Sequence, residues 1–152
     1  DRIFNSFDEI TNKYELEKIK TIGDAYMVAA GIPEPSVDCA SNLAMMALEM
    51  LDAIEAIALD DQVKFSMRIG VHWGPVVAGV IGKSKFAYDL WDDTVNVASR
   101  MESTGEKGKI QVSSDFAKQV DNTFDFVERG FIDIKGKGSM KTLFLVSKKH
   151  NA

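Results

Sequence analysis

The sequence has little of what would tie a protein to a membrane, to an oxidising compartment or to nucleic acid. Its single cysteine, Cys39, excludes a disulfide within the chain and suits a reducing compartment. No apolar run approaches the roughly eighteen residues of a membrane span. The 23 acidic residues outnumber the 18 basic ones, and the net charge of -5 disfavours a nucleic acid held by phosphate contacts. We therefore predict a soluble, cytoplasmic protein without a nucleic-acid partner.

The sequence also lacks an internal repeat and a low-complexity tract, and no change of composition along it marks a boundary between domains. Its 152 residues, 45% of them hydrophobic, are enough to bury one core without a disulfide or a metal ion. We predict that residues 1–152 form a single domain.

The first third of the chain predicts two helices with a β-hairpin between them. Apolar residues at spacings of three and four predict a helix over residues 1–14 and a longer one from Val37 to about Leu59. The runs LEKIKTI and AYMVAA are separated only by Gly23 and Asp24, which tolerate the positive φ angles of a tight hairpin turn. Asp24 is therefore expected at a hairpin tip.

The rest of the chain alternates strands with short helices. Alternating apolar residues predict a strand from Val63 to Val71, with Arg68 on its polar side. A short helix is predicted from Ser114 to Val120, and further strands are predicted at VVAGVIG, KIQVS, FDFVERG and TLFLVS. This order predicts an α+β fold, with a ferredoxin-like βαββαβ core, additional hairpins and an antiparallel-rich sheet covered by helices.

The stretch FAYDLWDDTVNVASRM, residues 86–101, predicts a strand that turns sharply into a helix, because apolar residues first alternate and then recur at helical spacing. Asp89 would end the strand, while Asn96 and Arg100, four positions apart, would share one helix face. An acceptor, an amide and a guanidinium would thus face one crevice. Spacing alone leaves open that these are turn, capping and solvent-facing residues.

The same stretch resembles the signature YD(I/L)WGxTVNxASRM of the class III nucleotidyl cyclases, the catalytic domains of adenylate and guanylate cyclases. Three more blocks resemble this family in the family's order: EKIKTIGDAYM, VKFSMRIGVHWGPVVAGVIG and IDIKGKGSMKT. The chain departs from the signature at Asp92, where the family usually has glycine. Aspartate tolerates left-handed turns better than most residues, so the turn is expected to survive.

The resemblance implies an adenylate cyclase that converts ATP into 3',5'-cyclic AMP and pyrophosphate in a homodimer with shared active sites. It implies two divalent metal ions, Mg²⁺ or Mn²⁺, with Asp24 as a ligand. It further implies that Lys20 and Asp89 read the base, that Asn96 orients the ribose, and that Arg100, Arg68 and Lys135 contact the phosphates.

The choice of base follows from the resemblance more than from chemistry. The Watson–Crick edge of adenine offers an acceptor nitrogen and a donor amine, which match a lysine donor and an aspartate acceptor. Guanine offers one acceptor and one donor in the opposite order. Guanylate cyclases of the family usually have glutamate where this chain has Lys20, so the resemblance favours ATP.

Two segments of the family are not matched within the sequence. The family's first strand, with a metal-binding aspartate in a motif like F(A/S)DI, and the helix after it would precede Asp1. Residues 1–152 alone are therefore expected to have little activity, and a regulatory or membrane domain is expected upstream. The alternatives are a guanylate cyclase, an inactive cyclase-like dimerisation module and an RNA-binding domain of the RRM type, which the acidic charge disfavours.

Overall fold

Helices and strands alternate irregularly along the chain. The structure, a computed structural model, describes residues 2–32, 37–62, 64, 66–76, 78–81, 87–90 and 93–150, with the backbone alone in 78–81 and 87–90. Within these residues the elements are, in order, α1 (Arg2–Lys13), β1 (Glu17–Ile22), β2 (Ala25–Ala29), α2 (Cys39–Asp61), β3 (Ile69–Val71), β4 (Ala78–Ile81), β5 (Ala87–Leu90), α3 (Asp93–Ser103), β6 (Ile110–Ser113), α4 (Ser114–Val120), β7 (Phe124–Ile134) and β8 (Gly138–Lys148).

The described strands form one four-stranded sheet and two hairpins. In the sheet the order is β3-β6-β8-β7, with β3 parallel to β6 and the other neighbours antiparallel. Strands β1 and β2 form one antiparallel hairpin, and β4 and β5 form the other. The predicted α+β class with antiparallel-rich pairing is confirmed. The parallel pair is joined through α3, as a parallel connection requires a crossover.

The main core lies between the four-stranded sheet and helices α2 and α4. Ile110 and Val112 of β6 are fully buried against Phe116 of α4 and Ala44 of α2. Burying a side chain of this kind contributes roughly 1.5–3 kcal/mol. Gln111 lies between the two β6 residues and is also fully buried, although it is polar.

A second cluster fixes the N-terminal helix to the hairpin. Phe7 is only 1% exposed and packs with Met46 and Met50 of α2, while Tyr26 of β2 covers the same cluster. The rings of Phe7 and Tyr26 meet edge to face with centroids 5.5 Å apart, a favourable aromatic geometry. The α1 helix therefore supports the β1–β2 hairpin, as its amphipathic pattern indicates.

The predicted bounds of three strands were wrong. Of the described residues in the strand predicted from Val63 to Val71, only Ile69–Val71 form a strand, because the partner β6 begins at Ile110 and pairs with Ile69 there. Val63 and Phe65 lie outside the described residues. The last two strands are longer than predicted and pair as far as Ile134 and Gly138, so that much of the glycine-rich segment between them is strand.

Helix α2 is the longest helix of the described part of the chain, with 23 residues. Neither α2 nor any other helix within that part combines the length and the apolar character that crossing a membrane requires.

Candidate active site

Helix α3 carries two of the predicted site residues on its exposed side. Val97 and Met101 are fully buried and pack against Ile134 near the end of β7. Asn96 and Arg100 each precede one of these residues by one position and are exposed. Because consecutive residues of a helix are about 100° apart around its axis, both polar side chains leave the packed face and reach solvent. Asn96 and Arg100 therefore lie on one face of α3, as predicted.

The turn between β7 and β8 is held at the first turn of α3. The backbone N–H of Lys137 donates to the carbonyl of Ile134 at 2.9 Å, which closes the turn. The ammonium of Lys137 forms an ion pair with the carboxylate of Asp93, the first residue of α3. Lys135 lies in the same turn and is exposed. The ion pair therefore keeps the segment that carries Lys135 beside the helix that carries Asn96.

Arg68 lies just before β3 and reaches the last turn of α3. Its Nε is 2.9 Å from Oε2 of Glu102. Strand β3 crosses the helix closely at this point, since a Cβ built on Gly70 would stand only 2.1 Å from the backbone nitrogen of Glu102. Glycine alone permits this approach. Gly70 therefore sets the separation between Arg68 and the helix that carries Arg100.

The segment after β3 is tied to the first turn of α3. The hydroxyl of Thr94 donates to the carbonyl oxygen of Pro75. A Cβ on Gly74 would lie 2.7 Å from that hydroxyl oxygen, so this turn also passes close to the helix. Residues on either side of β3 therefore contact both ends of α3: Arg68 contacts the last turn, and Pro75 contacts the first turn.

His72 links the end of β3 to α4. Its Nδ1 lies 2.7 Å from Oγ of Ser113, the N-cap residue of α4. Burial lowers the pKa of His72, because the charged imidazolium is disfavoured away from water. Asp115 and Asp93 oppose this shift, and Lys137 adds to it. The ring is therefore held in its neutral form near pH 7.

The β1–β2 hairpin presents Asp24 at its tip, as predicted. Gly23 has a φ of 58°, and Ile22 pairs with Ala25 across the turn. Asp24 is exposed. The hydroxyl of Tyr26 donates to a carboxylate oxygen of Asp8 at 2.6 Å and so anchors the hairpin to α1. Burial, together with this hydrogen bond, raises the pKa of Tyr26 to about 12.

The two predicted base-reading residues lie on neighbouring strands. Lys20 is half-buried in β1 and stands opposite Met27 of β2. Strand β5, which carries Asp89 opposite Gly79, lies beside β1. The side chain of Asp89 and the whole of Asp92 are outside the described residues.

The site residues accordingly fall into two groups. Arg68, Asn96, Arg100 and Lys135 lie on or beside α3, whereas Lys20 and Asp24 lie on the β1–β2 hairpin. Among the described residues no group of three or more His, Cys, Asp or Glu side chains is arranged to hold a metal ion. Asp24 supplies an exposed carboxylate, a hard oxygen ligand of the kind that Mg²⁺ and Mn²⁺ accept.

Sequence reasoning missed three side chains that hold α3 in place. Glu102 pairs with Arg68, Lys137 pairs with Asp93, and Gln111 donates to the backbone of α3. The sequence offered one signal, the polar Gln111 inside the apolar strand KIQVS. A buried amide must find hydrogen-bond partners, and helix α3 supplies them.

The sequence matches the family of adenylate and guanylate cyclase catalytic domains over residues 1–147. An adenylate cyclase of Mycobacterium tuberculosis is 44% identical over 149 residues, which are 98% of this chain and 34% of that protein. A membrane guanylyl cyclase of Dictyostelium discoideum is 43% identical over 147 residues, or 97% of this chain and 10% of that protein. The chain thus spans about a third or less of these relatives.

The fold is likewise similar to solved cyclase structures. The crystal structure of the guanylate cyclase domain of RhGC from Catenaria anguillulae in complex with GTP is 34% identical. It superimposes with a TM-score of 0.88 and covers 97% of this chain and 81% of that chain. Both sequence and structure therefore place this chain among proteins of one family.

Proposed function

We propose that this chain, which belongs to the adenylate and guanylate cyclase catalytic domain family, is the catalytic domain of an adenylate cyclase. In the proposed reaction the ribose 3'-hydroxyl of ATP attacks the α-phosphorus, a P–O bond to the pyrophosphate group breaks, and cyclic AMP and pyrophosphate leave. Negative charge grows on the phosphoryl oxygens and on the leaving group, so groups that position and neutralise them carry most of the catalysis.

This proposal rests mainly on the position of three cationic side chains, which lie on or beside α3. Arg100 is exposed on the helix, Arg68 reaches its last turn, and the turn with Lys135 is fixed at its first turn. These three cations lie on or beside one helix of a chain whose net charge is -5, and in the two-fold dimer proposed below each site would combine Arg100 and Lys135 of one subunit with Arg68 of the other. A local positive site on an acidic protein favours a polyanionic ligand such as a nucleoside triphosphate.

Each side chain then has a role that its chemistry permits. Arg100 stabilises the charge on the transferring phosphoryl group, since a guanidinium can donate to two of its oxygens. Arg68 and Lys135 hold the remaining phosphates. Asn96, one helical turn before Arg100, orients the ribose through its amide.

Asp24 would hold divalent metal ions. Two Mg²⁺ or Mn²⁺ ions, when bound, lower the pKa of the 3'-hydroxyl and offset the charge of the phosphates. The exposed tip of the hairpin allows the Asp24 carboxylate to reach a ligand outside its own chain. This position suits a site that is shared with another subunit.

Lys20 and Asp89 select adenine in this proposal. A lysine donor faces the ring nitrogen of the base, and an aspartate acceptor faces its amine. The neighbouring positions of β1 and β5 support a joint role. GTP is the second candidate substrate, since a guanylyl cyclase of Dictyostelium discoideum is 43% identical to this chain.

We further propose a homodimer with two shared sites. One subunit contributes the base-reading residues with Asn96, Arg100 and Lys135, and the other contributes Asp24 and Arg68. A two-fold axis generates both sites from one interface. Because the relatives are about three times longer or more, we propose that the parent protein carries a regulatory region and holds this domain in the cytoplasm.

The experiment is a product assay on the full-length protein. We expect cyclic AMP from ATP with Mn²⁺ or Mg²⁺, and much less cyclic GMP from GTP, each separated by chromatography. The Asn96→Ala variant, measured beside it, shows whether the product comes from this site. Dominant cyclic GMP would make the protein a guanylate cyclase, and absence of both products would leave an inactive, dimerising domain.

A further inference from the structure

A buried amide is connected by hydrogen bonds to the backbone of Arg100. Gln111 of β6 is fully buried, and its Nε2 donates to Oγ1 of Thr104 at 2.8 Å. The Thr104 hydroxyl donates in turn to the carbonyl oxygen of Arg100 at 2.6 Å. Gln111 Nε2 also donates to the carbonyl of Met101 at 2.8 Å. The last turn of α3 is thus bonded to the sheet through two carbonyl groups.

The other polar atom of this amide, Oε1, accepts from Arg129. Nη1 of Arg129 in β7 donates to Oε1 of Gln111 and to the carbonyl oxygen of Thr104. The guanidinium also lies over the ring of Phe144, 5.3 Å from its centroid. Every hydrogen-bonding atom of Gln111 therefore has a partner, which fixes the orientation of the amide.

These hydrogen bonds are made to backbone carbonyl groups in the last turn of α3. The last carbonyls of an α-helix have no partner within the helix and are usually exposed to water. In α3 the carbonyl of Arg100 accepts from the backbone N–H of Thr104 at 3.0 Å and from the Thr104 hydroxyl, and the carbonyl of Met101 accepts from Gln111, whose own position is set by β6 and Arg129. The end of α3 therefore cannot fray without leaving the buried Nε2 of Gln111 unpaired, which is unfavourable.

We propose that Gln111 and Thr104 are positioning residues for Arg100 in the cyclase reaction. This inference depends on the proposed function, because Arg100 is assigned there to the charge of the transferring phosphoryl group. The hydrogen-bond chain holds the backbone of Arg100 against the rigid sheet, so its guanidinium meets the phosphoryl oxygens in one orientation. A displacement of about 1 Å in such a group can reduce turnover roughly a hundredfold.

Thr104→Val and Thr104→Ser in the full-length protein test the proposal. Valine keeps the shape of the side chain and removes the hydroxyl, whereas serine keeps the hydroxyl. We expect kcat to fall at least tenfold in Thr104→Val with KM changed less than threefold, and Thr104→Ser to restore most of the rate. Gln111→Met should resemble Thr104→Val, because it removes the donor to the Met101 carbonyl and the donor that fixes the Thr104 hydroxyl, which in turn holds the Arg100 carbonyl.

Thr142 provides the matched control. It is fully buried in β8, and its hydroxyl donates to the carbonyl of Gly130 at 2.7 Å, in the same sheet but outside the chain of bonds to α3. Thr142→Val should lose stability while kcat stays within twofold of the unaltered protein. A general effect of destabilisation would instead lower kcat in both valine variants alike, and would overturn the proposal.

Amide hydrogen exchange gives a readout that does not need activity. We expect faster exchange of the last-turn amides of α3 in Thr104→Val than in Thr104→Ser or Thr142→Val. Unchanged exchange, or an unchanged kcat in Thr104→Val, would refute the positioning role. Absence of any cyclic nucleotide from the unaltered protein would count against the proposed function itself, and the exchange data would still decide whether the bonds hold the helix end.

Discussion

Arg68 and Glu102 form an ion pair across the contact between β3 and α3, with Nε and Oε2 2.9 Å apart. The side chains are 45% and 39% exposed, and an ion pair in such a position contributes at most about 1 kcal/mol. An arginine that is proposed to hold phosphates is therefore oriented by a carboxylate that a triphosphate can displace at small cost.

Arg68→Ala should weaken nucleotide binding. We expect KM for ATP to rise about tenfold with a smaller effect on kcat, because the guanidinium contacts phosphate both before and during the reaction. Steady-state kinetics on the full-length protein measure this. Arg2→Ala is the control, since Arg2 forms comparably exposed ion pairs with Asp60 and Asp61. If the two alanine variants have the same KM, Arg68 does not bind the nucleotide.

Base selectivity should depend on Lys20 and Asp89. Replacing them together by Glu and Cys provides groups that suit the inverted donor and acceptor order of guanine, so ATP turnover should fall and preference should move toward GTP. A mismatched base edge leaves buried polar groups unpaired, which can change selectivity by several kcal/mol. The ratio of kcat/KM for the two nucleotides is the measurement, and an unchanged ratio would remove these residues from the base site.

Asn96→Ala and Arg100→Ala should each lower kcat by on the order of a hundredfold, with less effect on KM, because both groups act mainly in the transition state. Ser99→Ala, at an exposed position between them, is the control and should keep normal kinetics. Losses in KM alone would instead make Asn96 and Arg100 groups that bind the ground state. Thermal melting verifies that each variant is folded.

Two inactive variants should complement each other if the sites are shared. Full-length chains with Arg100→Ala and with Asp24→Ala should each be nearly inactive. Once mixed, a heterodimer contains one site with both alterations and one site with neither, so activity should return. Light scattering establishes that dimers form. Dimers without recovered activity would indicate a site built within one chain.

Because of His72, the free energy of unfolding should decrease as the pH falls below neutrality. Burial lowers the pKa of this ring from its ordinary value of 6.5, so the unfolded chain binds a proton at a pH where the folded chain does not. The stabilisation is present above pH 6.5 and is lost as the pH falls toward the lower pKa of the folded state. For one proton, the free energy of unfolding changes by at most about 1.4 kcal/mol per pH unit.

Urea unfolding between pH 7.5 and 5 measures the effect of His72. His72→Asn can keep a polar atom near Ser113 and should flatten the curve in this range. His150, the other histidine, is exposed, and His150→Asn should leave the slope as it is. A slope that persists in His72→Asn would assign it to other groups.

The sequence determined those features that depend on neighbouring residues. The apolar spacing around Asn96 and Arg100 identified both the helix and its polar side, and Gly23 identified the hairpin that exposes Asp24. Such patterns are informative because side-chain direction repeats every two residues in a strand and every 3.6 in a helix. The family signature of residues 86–101 added the expected roles, which no spacing reveals.

Only the tertiary structure decided how far β3 extends and what surrounds α3. The extent of β3 depends on β6, which lies about forty residues later and begins at Ile110. The pairing of Arg68 with Glu102 and of Gln111 with Thr104 depends on the close crossing that Gly70 permits. These contacts join residues on different elements, and the packing of the whole core sets how closely those elements approach. A local sequence pattern does not reveal that packing.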